Sequence, residues 1–428
     1  MERLAIDGFA GFRETALEVG PVTVLIGPQA TGKSIVAKLL YFFRETASRL
    51  SAAAADDRSK EEYVTECRQR FLRYFPPSSW GGGFRIVYTT LDKSITVSRS
   101  ADAASGGKDG FELNLSEFYF QTLTDFARRK RDLSSATPEG EHEIPEKALE
   151  NWRQELHKAL DEGVGPWGKF EQIFVPAGRA FFSQVRASIF SNLESGGALD
   201  PFLVAFGALL ERSKQILQNV GFFKQTEDQN QQRARIQSLR SSFSRILRAD
   251  LLLIEKEYFL RFPDAREVQL AQASSGQQEA LPLLLLLARF VSLGHARGRA
   301  VYIEEPEAHL FPITQRQVME LMAETYRVRS KQMRLVVTTH SPYILTSLNN
   351  LLQAGQRFAN ADSVTAARIE KIIPRRRSLR PGEVSAYALS DGAARSILDP
   401  ETKLIDAALI DSVSTELAVE FDRLLSEE

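Results

Sequence analysis

The residues from Gly27 to Ser34 read GPQATGKS and fit the phosphate-binding pattern G-x-x-x-x-G-K-[ST] without a mismatch. In such a loop, backbone N–H groups surround phosphate oxygens at the positive end of a helix. Lys33 reaches the β- and γ-phosphates of a nucleotide, and the hydroxyl of Ser34 can ligate Mg²⁺. A chance glycine-rich turn is the alternative. The pattern predicts nucleotide binding by the whole loop: Gly27, Pro28, Gln29, Ala30, Thr31, Gly32, Lys33 and Ser34.

Two acidic residues, Glu304 and Glu305, follow the buried-strand pattern RAVYI at residues 299–303. In a chain with a phosphate loop, acids at a strand end favour the handling of metal and water. Glu304 is expected to hold Mg²⁺ through a water molecule, and Glu305 to accept a proton from the water that attacks the γ-phosphate. A solvated acidic turn is the alternative interpretation.

His340 follows a second strand pattern, LVVTT at residues 335–339. The carboxyl ends of parallel strands meet at one edge of a sheet, where α/β proteins bind their ligands. A histidine at a strand end is, by itself, more often structural. Beside the other two motifs, His340 is predicted to hydrogen-bond a γ-phosphate.

Ser274, Ser275, Gly276 and Gln277 precede the apolar pattern at residues 280–290 and predict an anion-binding helix N-terminus. A chain with one phosphate loop does not need a second one for the same phosphate. The simplest explanation is that this segment reaches the γ-phosphate held by another subunit, so that two chains enclose two nucleotides head to tail. An ordinary helix N-cap is the alternative.

The order of these motifs, GPQATGKS, SSGQQE, YIEEPEAHLFP and TTHSP, resembles that of ABC-type ATPases in the branch with SMC-like and OLD-family proteins. The resemblance covers residues 1–45 and about 258–350. It implies an α/β P-loop NTPase fold with an ABC-type ATPase head, and hydrolysis of ATP with Mg²⁺ by a homo-oligomer. The residue roles that it implies are a signature motif at Ser274–Gly276, a Walker B pair at Glu304 and Glu305, and a switch histidine at His340.

The sequence departs from this family at two places. Glu304 stands where an aspartate is usual, which leaves direct contact with the metal open. The glutamine of a Q-loop has no clear counterpart after the phosphate loop, and Gln172 and Arg179 around FVPAGR are the candidates. Ahead of the loop, Phe9 and Phe12 either stack on an adenine or belong to the core.

The overall layout is similar to the ATPase of PARIS-type anti-phage defence systems. That similarity implies an oligomeric, nucleotide-gated sensor or scaffold that controls a separate effector protein. Residues 387–425 show neither the acidic cluster of a Toprim nuclease nor the histidines of an HNH site, so effector chemistry is expected on another chain. Two other functions stay open: an ATPase of DNA repair or maintenance that clamps DNA, and an assembly switch that holds ATP with little turnover.

Composition sets limits on partners and location. The chain of 428 residues has 54 basic and 55 acidic residues and a net charge of −1, which gives no support for a nucleic-acid partner. Its single cysteine excludes an internal disulfide and suits a reducing cytoplasm. The longest apolar run, residues 280–288, is less than half of the roughly 20 residues that span a bilayer. A soluble cytoplasmic protein without a membrane partner is expected.

Helix and strand patterns divide the chain into four segments. Residues 1–198 are predicted as an ATPase lobe with the phosphate loop and a β-hairpin near residues 84–98, and residues 258–373 as the lobe with the other motifs. Between them, residues 199–257 predict two helices joined by a polar interval, a short inserted arm. Residues 374–428 form an extension that begins with arginines and then has an apolar helix face, which either packs on the head or binds a partner: Val413, Leu417, Phe421 and Leu424.

Overall fold

The computed structural model describes residues 2–100, 110–136, 144–184, 200–223, 231–292, 298–406 and 419–424. The strands in these ranges are β1 (Glu2–Asp7), β2 (Thr15–Glu18), β3 (Val22–Ile26), β4 (Phe84–Thr90), β5 (Lys93–Arg99), β6 (Glu112–Leu115), β7 (Glu171–Val175), β8 (Asp250–Ile254), β9 (Glu257–Arg261), β10 (Glu267–Gln269), β11 (Arg299–Glu304), β12 (Met333–Thr339), β13 (Val384–Ser390) and β14 (Ala393–Ser396). The helices are α1 (Lys33–Ala55), α2 (Lys60–Tyr74), α3 (Glu117–Ser135), α4 (Glu146–Val164), α5 (Phe181–Gln184), α6 (Pro201–Asn219), α7 (Gln231–Leu247), α8 (Ser275–Ser292), α9 (Pro312–Val328), α10 (Pro342–Ala359) and α11 (Ser363–Ile372).

A sheet with the strand order β14-β13-β3-β12-β11-β7 lies at the centre of the fold. Its strands are parallel except for the edge strand β14. Every residue of β11 is buried, as expected for a parallel strand covered on both faces. The register pairs Glu304 with Thr338 and Thr339 with Ile26, so the three strands that precede the predicted motifs end at the same edge. The α/β P-loop fold predicted from the sequence is confirmed.

A second, antiparallel sheet has the order β2-β1-β4-β5-β6 and covers α1. The predicted hairpin near residues 84–98 is confirmed as β4 and β5, with Val87 opposite Thr96. Tyr88 of this sheet stacks on Phe43 of α1, with ring centroids 5.2 Å apart. The sheet therefore holds the helix that follows the phosphate loop from the side opposite the central sheet.

The two helices predicted after residue 199 are confirmed as α6 and α7, and both pack on α8. Part of the predicted polar interval, residues 224–230, lies outside the described residues. The expectation that helix continues to residue 257 is wrong, because Asp250–Ile254 forms β8 and pairs with β9. Arg248 has a left-handed backbone with φ of 53°, which ends α7. The short leucine run that follows fits either a helix or a strand by periodicity alone, and its pairing with β9 decides between them.

Helix α8 contains the longest apolar run of the sequence and lies in the core. Each residue from 278 to 291 is buried, with α6, α7 and α9 around it. Its apolarity is thus explained by packing inside the domain. In the part of the chain that the structure describes, no helix combines the length and apolarity needed to cross a membrane.

The predicted C-terminal extension contributes β13 to the central sheet, directly beside β3. Arg376 and Arg377, from the arginines that begin the extension, form ion pairs with Glu324 of α9 at 3.0 Å. Of the predicted apolar helix face, Val413 and Leu417 lie outside the described residues, while Phe421 and Leu424 are exposed. The beginning of the extension is therefore tied to the central sheet and to α9.

Candidate nucleotide-binding site

The phosphate loop connects the end of β3 with the start of α1. A Cβ atom at Gly27 would lie 2.3 Å from the carbonyl oxygen of Leu389, and one at Gly32 would lie 2.4 Å from the ring of Phe12. Gly32 also has a φ of 90°, which residues other than glycine rarely adopt. The hydroxyl of Thr31 donates to the carbonyl oxygen of Pro28 at 2.9 Å and closes the turn. Both glycines are required by the close approach of neighbouring groups.

Lys33 is buried, and its ammonium group bonds back to the loop. The Nζ atom donates to the carbonyl oxygens of Gly27 and Pro28 at 2.7 and 2.6 Å and lies 3.3 Å from Nδ1 of His340. Burial lowers the pKa of Lys33, and the carboxylates of Glu305 and Glu307 oppose that shift. The two carbonyl oxygens accept hydrogen bonds that the ammonium group could otherwise donate to a ligand.

A hydrogen-bonded chain joins the phosphate loop, the strand-end histidine and the acidic motif. Nε2 of His340 lies 3.1 Å from Oε1 of Glu305. An ammonium group can only donate hydrogen bonds, so Nδ1 of His340 must accept from Lys33. We therefore assign the imidazole proton to Nε2, from which it is donated to the Glu305 carboxylate. The structure brings together Lys33, His340 and Glu305, which are far apart in the sequence.

Glu305 has a strained backbone that is held from two sides. Its φ is 42°, in the left-handed region, and a proline follows it. Such a conformation costs on the order of 1–3 kcal/mol and persists only where the surroundings impose it. Its N–H donates to the carbonyl oxygen of Thr338 at 2.9 Å, and its own carbonyl oxygen accepts from Arg179 at 2.8 Å. The side chain is 38% exposed, so its carboxylate is open to water.

Glu304 offers a carboxylate oxygen suited to a cation. Its Oε2 accepts from the backbone N–H of Ala177 at 3.3 Å, while Oε1 is buried without a hydrogen-bond partner among the described residues. A buried carboxylate oxygen without a donor fits a bound cation or its water ligand. Ser34 lies exposed in the first turn of α1, as required for its predicted contact. These residues fit Mg²⁺, which when bound would neutralise charge on the γ-phosphate.

Glu307 belongs to the site although the sequence did not single it out. Its Oε1 accepts from the hydroxyl of Thr339 at 2.6 Å and from the backbone N–H of His340 at 2.7 Å. Its Oε2 is buried and, within the described residues, has no hydrogen-bond partner. The signal available in the sequence was a third acid two positions after Glu305. Glu307 fixes the backbone that carries the imidazole.

The two Q-loop candidates are placed differently. Gln172 lies near the start of β7, at the opposite end of the strand from the carboxyl edge where the motifs lie. Its side chain donates to the carbonyl oxygen of Phe170 and accepts from the hydroxyl of Tyr302, at 2.8 Å each. Arg179 follows the end of β7, is fully buried, and donates to the carbonyl oxygens of Glu304 and Glu305 at 2.6 and 2.8 Å. Only Arg179 reaches the site, and it contacts the backbone of the acidic motif.

The predicted signature segment forms its hydrogen bonds within the N-terminus of α8 and with the end of α7. Ser274 Oγ donates to Oε1 of Gln277 at 3.0 Å, and the amide of Gln277 donates to the carbonyl oxygen of Leu247 at 2.7 Å. A Cβ atom at Gly276 would lie 2.6 Å from the carbonyl oxygen of His309. Ser275, the first residue of α8, is exposed. The segment therefore presents the N-terminus of α8 to solvent, and its role toward a nucleotide stays a prediction.

The aromatic residues ahead of the phosphate loop are part of the core. Phe9 and Phe12 are 0% and 3% exposed. Phe9 packs against Phe84, with ring centroids 4.9 Å apart, and Phe12 lies against Gly32. In this arrangement neither ring has a free face for an adenine, and the core alternative accounts for both.

Comparisons with known proteins give one family match and several distant structural similarities. No curated protein matches the chain. An SMC head bound to the C-terminal winged-helix domain of ScpA has 13% identity and a TM-score of 0.40, covering 92% of this chain and 96% of that chain. The SMC head domain from Thermotoga maritima has 13% identity and a TM-score of 0.35, covering 92% and 97%. The recombination mediator protein RecF has 10% identity and a TM-score of 0.31, covering 92% and 97%.

The family model described as "AAA domain, putative AbiEii toxin, Type IV TA system" matches residues 22–346. The match contains the phosphate loop, the signature segment, the acidic motif and His340, and it extends over more than half of the chain. This chain belongs to that family of AAA-domain proteins.

Proposed function

We propose that this chain binds ATP and hydrolyses it to ADP and phosphate, with Mg²⁺, at composite sites between copies of itself. The observation that carries the proposal is the hydrogen-bonded chain from Lys33 through His340 to Glu305. The ammonium group of Lys33, an imidazole and a water-accessible carboxylate lie together at the carboxyl edge of the central sheet, which supports the proposal.

In the proposed reaction, Glu305 accepts a proton from the attacking water while the water oxygen bonds to the γ-phosphorus. The bond from that phosphorus to the β–γ bridging oxygen breaks, and its electron pair leaves with ADP. Lys33 exchanges its bonds to the Gly27 and Pro28 carbonyl oxygens for bonds to phosphate oxygens. The Nε2–H group of His340 is free to turn from Glu305 to a γ-phosphate oxygen.

The composite site is proposed because the N-terminus of α8 is open to solvent. Ser275 is exposed at this end. Phe311, which lines a cavity of about 510 Å³ beside the segment, is 72% exposed. An exposed helix N-terminus next to an exposed large apolar side chain fits a surface covered by a second copy of the chain.

We further propose that the oligomer acts in the cytoplasm as a nucleotide-gated sensor or scaffold that controls a separate effector protein in anti-phage defence. The family description, which names a toxin and a toxin–antitoxin system, supports a defence role. Purification of the native complex should then recover a second protein with effector activity. The purified chain alone should degrade neither DNA, RNA nor protein, and degradation that depends on ATP and Lys33 would overturn the separate effector.

A second function, an ATPase that clamps DNA, is favoured by one surface. A cavity of about 1000 Å³ near the ends of α9, α10 and α11 is lined by Arg327, Arg375, Arg376 and Arg380. Arg327 and Arg376 pair with Glu383 and Glu324, which reduces the positive charge offered to a ligand. Duplex binding that weakens steeply with salt would favour this function over effector control.

Replacement of Lys33 by alanine tests the ATP site. Lys33→Ala should abolish tight ATP binding, because no other side chain of the loop carries a positive charge. Lys38→Ala is the matched control, since it lies on the same helix and loses a partly exposed ion pair with Asp200 and a cation–π contact with Phe202, both outside the loop. If calorimetry showed Lys33→Ala binding ATP within about threefold of wild type, or about 0.7 kcal/mol, the assignment of the loop would be wrong.

A further inference from the structure

All three guanidinium nitrogen atoms of Arg179 donate hydrogen bonds to oxygen atoms inside the protein. Its Nη1 atom donates to the carbonyl oxygens of Pro176 and Glu304 at 3.0 and 2.6 Å, and Nη2 donates to that of Glu305 at 2.8 Å. Nε donates to the backbone carbonyl oxygen of Glu279 at 3.1 Å, and Nη2 lies 3.3 Å from the Glu279 carboxylate. The planar, forked shape of arginine allows these contacts in several directions at once, which a lysine could not reproduce.

Glu279 of α8 binds the backbone of Arg179 as well as its side chain. Its two carboxylate oxygens accept from the backbone N–H groups of Arg179 and Ala180, both at 2.8 Å. Both side chains of the ion pair are 1% exposed, so their attraction is little screened by solvent. Burial lowers the pKa of Arg179, while the Glu279 carboxylate opposes the shift. With its donors satisfied by oxygen atoms, the pair holds the turn after β7 against α8.

The pair connects two functional parts of one chain. Glu279 lies three residues after Gly276, in the same helix whose N-terminus is the signature segment. Arg179 holds the carbonyl oxygen of Glu305, whose left-handed backbone needs external support. Gly276 and Glu279 lie within one turn of α8, on the N-terminal side of Pro282. We therefore expect a shift of this N-terminus to move Glu279 and, through Arg179, the backbone of Glu305.

We propose that Arg179 and Glu279 are positioning residues that couple the signature end of α8 to the position of Glu305. This inference rests on the proposed composite ATP sites. In a pair of chains, α8 of each chain covers the nucleotide bound by its partner, while Glu305 acts on the nucleotide bound by its own chain. The contact through Arg179 therefore makes hydrolysis at one site depend on occupancy of the other.

The test uses two substitutions that break the contact at different ends, Arg179→Lys and Glu279→Gln. Arg44→Lys is the matched control, because Arg44 is equally buried and forms an ion pair with Glu2 at 2.7 Å outside the site. Wild-type turnover should depend on ATP concentration with a Hill coefficient above one. Both test variants should keep ATP affinity within about threefold, lose roughly tenfold or more in kcat, and show a Hill coefficient near one.

A nucleotide-free measurement accompanies the kinetics. Backbone hydrogen exchange of residues 274–279 and 303–308 should become faster in both segments together in each test variant, and in neither segment in Arg44→Lys. Faster exchange in only one of the two segments would overturn the coupling. Because this measurement needs no ATP, it decides on the contact even if wild-type protein fails to bind or hydrolyse ATP, in which case the proposed function is wrong.

The kinetic outcomes are equally decisive. Hyperbolic wild-type kinetics, or test variants that keep both kcat and a Hill coefficient above one, would overturn the proposal. A loss of cooperativity in Arg44→Lys of the same size would also overturn it, since general loosening of the core would then be the cause. If one test variant does not fold, the other still interrupts the same contact.

Discussion

Replacement of Glu305 by glutamine separates nucleotide binding from the chemical step. The amide oxygen can still accept the hydrogen bond from Nε2 of His340, which lies 3.1 Å from the present carboxylate. The backbone bonds to Thr338 and from Arg179 do not involve the side chain. The substitution therefore removes the basic carboxylate and leaves the geometry around it in place.

The expected effect on turnover is large and the effect on stability small. Loss of a general base lowers turnover by roughly 10²–10⁴. The side chains of Glu305 and His340 are 38% and 28% exposed, so solvent screens their interaction and its loss should cost under about 1 kcal/mol. ATP affinity should stay the same or increase, because a carboxylate that repels the γ-phosphate is neutralised.

Single-turnover phosphate release measures the chemical step, and calorimetry measures binding. Glu307→Gln is the matched control, since it neutralises a neighbouring carboxylate whose bonds position the backbone of His340. An amide oxygen in the place of Oε1 still accepts both bonds, from the Thr339 hydroxyl and from the His340 N–H, so turnover should fall less than in Glu305→Gln. Normal hydrolysis by Glu305→Gln together with an inactive Glu307→Gln would refute the assignment of the base.

Three other outcomes are expected. A mixture of inactive Lys33→Ala and inactive Gly276→Asp proteins should regain part of the ATP hydrolysis, because a mixed dimer keeps one intact composite site. If verified mixed dimers recovered no hydrolysis, this result would count against shared sites. Burial lowers the pKa of Lys33 from 10.5, so the folded protein releases this proton more readily than the unfolded chain. The Tm of wild type relative to Lys33→Met should therefore increase as pH rises from the lowered pKa towards 10.5. Glu305→Gly should be more stable than Glu305→Ala by about 1 kcal/mol in thermal unfolding, since glycine tolerates a φ of 42°; equal stability would contradict the backbone strain.

Local patterns predicted the parts of the site that lie within single motifs. The phosphate loop is recognisable because two glycines and a lysine occupy fixed positions between a strand and a helix. His340 and Glu304 could be assigned to one sheet edge because each follows a buried strand pattern. The hairpin near residues 84–98 was predictable for a similar reason, since its alternation reflects one buried face.

Contacts between distant segments could not be predicted in the same way. Arg179 and Glu279 are 100 residues apart, and neither position shows a pattern that indicates their pairing. The addition of β13 beside β3 depends on a match between residues 384–388 and residues 22–26, which no turn or loop specifies. The leucine run at residues 250–254 was assigned wrongly because its partner strand, rather than its own periodicity, decides its conformation.

The strained backbone of Glu305 shows why the site depends on such distant contacts. A glutamate before a proline does not adopt a φ of 42° from local preference, and glycine there would relieve the strain but remove the carboxylate. The chain keeps the carboxylate by holding both sides of the residue, through Thr338 on β12 and Arg179 after β7. Because Arg179 is in turn fixed by α8, the position of the proposed base is set by the same helix that is expected to contact the partner's nucleotide.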